Sequence, residues 1–391
     1  MIGMSAVIFI PDDTAKTGYP QPLMLQSVMG APLLAWLANA LFDSGVGRFF
    51  LVCHDRYVEA ARACLPAEAE VMTTMDSDPA DLLHVFLSTA EDAEHTITVV
   101  TGPAVYLPQL APQAAGRFPR VYGVSREELM QALDEHFSFA RFLLDNGSPM
   151  NEEQAMYSVA SPAELPEIAG LLQRNRLLAL ARTGVEIYDA SSCYVEPSVR
   201  VAPGARLLPG TMLRGKTVIG EEAVIGPWSV IDDSVIGARA VVNASQVRES
   251  RVGQDAVVGP YASVRGGCEL GRSVRAGSFV ELKNARLGEN TQVPHLAYLG
   301  DTEAGANCNF GCGVTTANFD RVQKHETVVG EGAFIGCNTA LIAPLQVGSG
   351  AYIGAGSTIT EDVPAQALGI ARARQSNKKE WAAKHKLKES K

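Results

Sequence analysis

Six positions near the C-terminus, Val329, Ile335, Leu341, Val347, Ile353 and Ile359, place a branched apolar residue at every sixth residue without a slip. A helix repeats its apolar face at three and four residues and a strand at two, so neither produces this step. Mostly small residues follow four positions later, at Ala333, Thr339, Leu345, Ala351 and Ser357, and glycine directly follows the apolar residue at Gly330, Gly336, Gly348 and Gly354. This hexapeptide pattern predicts a parallel β-helix, an all-β solenoid in which each short strand points one aliphatic residue inward. The small residues and glycines are expected to let the chain turn the corners, so that three hexapeptides close one triangular coil.

The same step recurs at Ile219, Ile225 and Ile231, at Val252, Val258, Val264 and Leu270, and at Leu287, Val293 and Leu299. The solenoid is therefore expected over residues 191–368, opening near Tyr194. Between Cys312 and Thr327 the step disappears, and residues 313–326 are expected to leave the coil as a loop. Long loops on a rigid solenoid are where function concentrates. A tail over 369–391 carries Arg372, Arg374, Lys378, Lys379, Lys384, Lys386, Lys388 and Lys391.

A chain of 391 residues exceeds one ordinary core. Its first part, residues 1–157, reads as α/β. An apolar run from Ala6 to Ile10 precedes a loop rich in Pro and Asp and a helical pattern over 32–42, and further strands follow at 49–53 and 96–101. Strands alternating with helices imply a parallel sheet of the α/β class. Residues 158–190 connect the two parts. Ser161, Pro162, Ala163 and Glu164 form a capping box with Pro at the first helical position, Leu165, Ile168 and Leu172 give an apolar face, and Gly184 marks the stop, so a helix is expected over 161–183.

A net charge of −10 disfavours nucleic acid as a bulk partner. No apolar run reaches membrane-spanning length and no secretion signal opens the chain, so a cytoplasmic protein without membrane insertion is expected. Seven cysteines, odd in number and scattered, do not form a disulfide framework. Cys308 and Cys312 are the closest pair. Their spacing fits a zinc ribbon poorly and no second pair follows, so they read as buried free thiols.

Within the second half of the repeat, Arg265, Glu281, Lys283, His295, Tyr298, Asn309, Asn318 and Lys324 break the apolar rule. Taken singly, His295 reads more readily as a solvated surface histidine than as a general base, and Arg265, Lys283 and Lys324 read as a binding surface or an ordinary charged face. Together with their neighbours they carry a resemblance. Residues 265–372 resemble, without a gap, the acetyltransferase half of the bacterial bifunctional N-acetylglucosamine-1-phosphate uridyltransferase/glucosamine-1-phosphate acetyltransferase family. The stretches that carry it are Phe279-Val-Glu-Leu-Lys-Asn-Ala-Arg-Leu-Gly288, His295-Leu-Ala-Tyr-Leu-Gly-Asp-Thr-Glu303, Ala343-Pro344 and Ala367-Leu-Gly-Ile-Ala-Arg372, with Asn309, Asn318, Asp320, Lys324 and Thr327 at matching spacing.

The resemblance implies a left-handed β-helix that forms a homotrimer, with acetyl-CoA as co-substrate, an amino-sugar phosphate as acceptor and no metal in acetyl transfer. It implies His295 as general base and Glu281 as the carboxylate that orients it. Arg265, Lys283, Tyr298, Asn309, Asn318 and Lys324 would hold the substrate, and Asn318, Phe319, Cys337, Ala355 and Arg372 would meet CoA. Three positions depart from the family: Phe319 stands for Tyr, Cys337 for Ser, and Gly266 for Pro. A γ-type carbonic anhydrase is set aside, because its zinc needs three histidines and the repeat holds His295 and His325.

The first domain resembles the family's nucleotidyltransferase half in placement, through Ala6-Val-Ile8, Pro22, Leu25, Gly30, Pro32 and Leu33. The expected glycine-rich phosphate loop is replaced by Ile10-Pro-Asp-Asp-Thr-Ala-Lys-Thr17, the expected Lys by Leu23, the uridine segment by Asp78-Pro79-Ala80 and the metal-binding Gly-Asp by Gly102-Pro103. Pro11 with Asp12 and Asp13 offers bulk and negative charge where backbone N–H groups should cradle phosphates. A truncated, degenerate domain is therefore expected. Three functions stay open: acetyl transfer to glucosamine-1-phosphate, acetyl transfer to another amino-sugar, and a non-catalytic trimeric scaffold.

Overall fold

The computed structural model describes residues 4–74, 79–90, 95–110, 120–134, 139–150 and 155–385. It divides into two compact units, residues 1–248 and 249–391.

The first unit opens on a six-stranded sheet. Glu70–Thr74, Arg48–Cys53, Ser5–Ile10 and Thr96–Val100 run parallel in that order, and Val121–Ser125 and Ser148–Met150 add antiparallel to the edge. Alternation along Ser5–Ile10 sends Ala6, Ile8 and Ile10 into one apolar layer with the helix Leu33–Asp43. Val7 goes to the other layer, with Phe50, Phe86 and Leu87. The parallel α/β sheet that the alternating pattern predicted holds for the first four strands, whereas the two edge strands run antiparallel. The expected helix over 161–183 begins as a 3-10 turn, Pro162–Glu164, and becomes α-helical over Leu165–Arg182. The capping box is only half made. Glu164 Oε2 accepts from the backbone N–H of Ala160 at 3.3 Å, whereas the Ser161 hydroxyl caps nothing. Ile168 and Leu172 bury the apolar face as expected.

Solenoid strands start one strand earlier than the sequence suggested, at Glu186–Ile187, which pairs in parallel with Arg206–Leu207. Arg206 then pairs with Val224, and Met212 with Val230, each three six-residue steps further on. One coil is therefore three hexapeptides.

In the second unit the same curled parallel sheet continues through residues 326–361. Val329, Ile335, Leu341, Val347, Ile353 and Ile359 are all at most 4% exposed. The hexapeptide glycines owe their place to something other than turning. A Cβ on Gly330 would lie 2.4 Å from the Ser349 nitrogen, and one on Gly336 would lie 2.5 Å from the Ala355 nitrogen, so glycine is required by the approach of the next coil. Several corners are made by non-glycine residues in the left-handed region: Asp255, Ser273, Asn290 and Asn307 take φ of 59°, 55°, 60° and 57°. A local strain of about 1 kcal/mol at each is tolerated because the stacked neighbours fix the turn.

Two facets of this unit carry the polar residues. The first is built from Arg275–Ser278, Gln292–His295, Asn309–Phe310, Phe334–Ile335 and Tyr352–Ile353. The second is built from Ser263–Arg265, the opening residues of Glu281–Leu287 and Tyr298–Ala304, then Thr315–Ala317 and Ala340–Ile342. Thr315–Ala317 keeps its place in the coil, with Tyr298 and Ala340 on either side. The excursion expected over 313–326 is therefore confined to residues 318–326.

Candidate functional site

On the second facet, Val264, Leu282, Leu299 and Thr316 point inward and are buried, so the residues on either side of each project outward. Register stacks Ser263, Glu281, Tyr298 and Thr315 in one outward column and Arg265, Lys283 and Gly300 in the next. Successive rungs of parallel strands lie about 4.8 Å apart, so Arg265 and Lys283 form one cationic edge. Lys324 arrives from the loop and adds a third charge. Its ammonium, the Arg265 guanidinium and partial desolvation together hold the Lys283 amine below its ordinary proton affinity, with Lys324 the largest cause and Asp301 opposing. Two carboxylates stand against these three cations, Glu281 paired with Arg265 and Asp301 beside Lys283, so the edge keeps a net positive charge suited to an anionic group.

Gly300 follows Lys283 in that column. A Cβ there would fall 2.4 Å from the Tyr298 hydroxyl and 2.7 Å from Asn318 Nδ2, so both polar groups converge where the side chain is missing. Asn318, 8% exposed, donates from Nδ2 to Asp301 Oδ2 at 2.5 Å, and Asn284 Nδ2 donates to Asp301 Oδ1 at 2.7 Å. Asp301 thus fixes which way the Asn318 amide faces. Asp301 is not among the site residues the sequence pointed to. Its signal was a carboxylate directly after the glycine of Tyr298-Leu-Gly300.

The loop over 318–326 braces itself. Asp320 Oδ1 accepts from the backbone N–H groups of Val322 and Gln323 at 2.7 and 2.8 Å, and its Oδ2 lies 2.7 Å from His325 Nε2. These contacts hold the Asp320 carboxyl well below the usual carboxylate range, the Gln323 amide contributing most. An antiparallel bridge between Phe319 and Lys324 closes the loop and brings the lysine back towards the facet. The Phe319 ring is 60% exposed.

Arg265 and Glu281 form an ion pair at 2.5 Å. Glu281 therefore engages the guanidinium, and among the described residues no hydrogen bond joins it to His295. His295 ends the strand Gln292–His295 on the first facet, is exposed, and pairs in register with Ser278. Asn309 lies on the same facet, opposite Gln292 and Phe334. Within one chain His295 and Asn309 thus stand on a different facet from Arg265, Glu281, Lys283 and Tyr298.

The remaining three residues form a group. Cys337 is exposed, and its carbonyl accepts from the backbone N–H of Gly356, the residue after Ala355, at 2.7 Å. The Arg372 side chain runs over Gly356, with Cδ 3.6 Å from where a Cβ would be. Cys337, Ala355 and Arg372 therefore line one stretch at the end of the first facet. Gly266 has φ of 69°, a conformation that the proline it replaces is barred from adopting.

In the first unit, the loop after the strand Ser5–Ile10 is held by its own side chains. Asp12 pairs with Arg56 and accepts from the Thr14 hydroxyl at 2.7 Å, and these contacts keep its carboxyl below the ordinary range, Thr14 foremost. Asp13 Oδ1 accepts from the backbone N–H of Leu23 at 2.9 Å, and Leu23 is buried. Residues 14–17 make a single helical turn. The Arg120 guanidinium lies over Gly102, with Nη1 2.7 Å from a Cβ built there. Asp78 lies outside the described residues, as do Lys386, Lys388 and Lys391 of the basic tail. No helix among the described residues is long and apolar enough to cross a membrane.

The family described as "Bacterial transferase hexapeptide (six repeats)" matches residues 326–361. The chain is similar to "Bifunctional protein GlmU" of Clostridium perfringens (strain SM101 / Type A), 41% identical over 242 residues, or 62% of this chain and 53% of the relative. The same protein of Clostridium kluyveri (strain ATCC 8527 / DSM 555 / NBRC 12016 / NCIMB 10680 / K1) is 43% identical over 241 residues, 61% of this chain and 52% of the relative. That of Clostridium botulinum (strain Kyoto / Type A2) is 48% identical over 159 residues, 41% of this chain and 35% of the relative. The chain spans about half the length of the curated relatives it matches, or less. The hexapeptide match falls on the last part of the curled parallel sheet.

Proposed function

We propose that this chain is an acetyl-CoA-dependent N-acetyltransferase acting on glucosamine-1-phosphate, cytoplasmic and trimeric, and without uridyltransferase activity. The observation that carries the reading is the cluster of Arg265, Lys283 and Lys324 beside the Tyr298 hydroxyl and the Asn318 amide, which meet over Gly300. A phosphate relieves the mutual repulsion of the three cations, while Tyr298 and Asn318 offer hydrogen bonds to a sugar.

Acetyl transfer needs the acceptor amine to lose a proton as its lone pair attacks the thioester carbonyl. The C–N bond forms, the C–S bond breaks, and CoA departs as a thiol. His295 accepts the amine proton and returns it to the leaving sulfur. Arg372 meets the CoA phosphates, and Cys337 and the Ala355 backbone line the pantetheine. The separation of His295 from the cation cluster on two facets supports a site completed by a neighbouring subunit. Glu281, paired with Arg265, orients the guanidinium that grips the phosphate.

Loss of nucleotide transfer is supported by the Asp12–Arg56 pair and the buried Leu23, which place a carboxylate and apolar bulk in the loop after the strand Ser5–Ile10. The exposed Phe319 favours a second reading, an acceptor less polar than glucosamine-1-phosphate. Thiol release from acetyl-CoA over a panel of amino-sugars, with UTP turnover measured in parallel, tests all of this. Preferred use of glucosamine-1-phosphate without UDP-sugar formation is the expected result. Preference for another amino-sugar overturns the acceptor. Thiol release with none of them leaves the scaffold reading.

A further inference from the structure

Seven thiols are free, and five of them, Cys53, Cys64, Cys193, Cys268 and Cys308, are buried. The two with solvent access, Cys312 and Cys337, sit on adjacent coils. Asn309 pairs with Phe334 and Phe310 with Ile335. The Gly311 N–H donates to the Ile335 carbonyl at 2.8 Å, and the Asn338 N–H donates to the Cys312 carbonyl at 2.7 Å. The two cysteines therefore occupy the same turn position, one rung apart. The Cys337 sulfur leans towards the neighbouring coil and lies 2.9 Å from where a Cβ on Gly311 would be, a place left open because that residue is glycine.

One rung of about 4.8 Å falls within the Cα separations that disulfides bridge, roughly 4.4–6.8 Å. Cys64, Cys193, Cys268 and Cys308 each spend their S–H on a backbone carbonyl. No such bond ties Cys312 or Cys337 among the described residues, so both sulfurs are free to turn.

We propose that Cys312 and Cys337 form a reversible disulfide, a modification site at the rim of the first facet. A low-molecular-weight disulfide such as oxidised glutathione is the oxidant. The Cys337 thiolate attacks one of its sulfurs, the S–S bond breaks, and one glutathione thiol leaves. The Cys312 thiolate then attacks the Cys337 sulfur of the mixed disulfide and expels the second glutathione. Two protein thiols are oxidised, one disulfide is reduced to two thiols, and the two cysteine protons end on the departing glutathiones. The bond turns the Cys337 sulfur towards Cys312 and away from the stretch shared with Ala355 and Arg372. Its effect on acetyl-CoA, unlike the bond itself, rests on the function proposed above.

The test treats the full chain with oxidised glutathione, alkylates the remaining thiols and maps peptides without reduction. The expected result is a Cys312–Cys337 cross-link, reversed by dithiothreitol. Cys312→Ser should instead accumulate a glutathione adduct on Cys337. Calorimetric titration of the oxidised chain should show at least a tenfold weaker Kd for acetyl-CoA, and the oxidant should leave affinity unchanged in Cys312→Ser/Cys337→Ser. A wild-type chain that stops at the Cys337 adduct with Cys312 still alkylatable, or that links other cysteines, overturns the proposal. A cross-link that forms in a chain with no acetyl-CoA affinity at all would leave the disulfide standing and remove the proposed function instead.

Discussion

Asp301→Asn changes one atom's chemistry at the centre of the site. The carboxylate accepts two hydrogen bonds, from Asn284 at 2.7 Å and from Asn318 at 2.5 Å, and its charge opposes the depression of the Lys283 proton affinity. The amide that replaces it keeps one accepting oxygen and presents an N–H₂ group to a neighbour that is itself a donor. One charge-assisted bond is lost, worth about 1.5–3 kcal/mol. Asp301 is only half-buried, so the lower end applies, about 1.5 kcal/mol, or roughly tenfold in rate at 1.4 kcal/mol per decade. Asn318 is then free to rotate its amide, and the penalty should fall on kcat/KM for the acceptor. The assay is steady-state thiol release, repeated for Asn318→Ala and the double variant. Coupling between the two positions should be at least about 0.5 kcal/mol, as for residues in direct contact. Strict additivity, or Asp301→Asn kinetics within twofold of the parent, would refute the assignment of Asp301 as the residue that positions Asn318.

Other outcomes follow from the same geometry. His295→Ala should lower turnover by about a hundredfold or more, the usual contribution of a placed general base, with acetyl-CoA affinity in a titration unchanged; a weaker Kd with intact turnover would reassign it. Gly330→Ala drives a Cβ to 2.4 Å from the Ser349 nitrogen, and overpacking of about 1–3 kcal/mol should lower the melting temperature by several degrees. An unchanged melt would show that the coils yield freely. Asp320 has its folded proton affinity depressed, so its stabilisation of the loop is fully present above the unfolded carboxyl value of about 3.9 and is lost as pH falls through the lower folded value. Exchange protection of the Val322 and Gln323 amides should therefore persist at pH 4, and its disappearance well above that pH would contradict the bracing.

The solenoid was legible because its signal is geometric: one inward branched residue per strand survives any change on the outer face. Positions such as Ile335 and Ile353 need no partner to be recognised. The glycines were found for an incomplete reason, since a residue that must lie under the next coil looks, in one dimension, like a residue that must turn. The start of the helix at Leu165 was hidden for a related cause. Ser161 carries the right side chain, but its backbone leads into a tighter turn that leaves the hydroxyl without an orphan amide to cap. Within the site, the cations were visible from spacing, whereas the Arg265–Glu281 pair depends on two strands separated by a whole coil. Asp301 escaped notice because its role is to hold another residue, which no single-position argument exposes.

Phe310 and Ile335 sit on consecutive rungs although the loop over 318–326 lies between them. The coil therefore absorbs extra chain without losing phase: residues before and after the excursion meet as they would in an uninterrupted repeat. Coils one residue short, such as those that pair Ser278 with His295 and Glu281 with Tyr298, also keep the ladder aligned, so a length change is absorbed at the corner and removal of a whole excursion should leave the ladder in register. Natural variation and engineering alike can then lengthen, trim or exchange the loop that carries Asn318, Phe319 and Lys324, altering what the protein recognises while its framework stays in step.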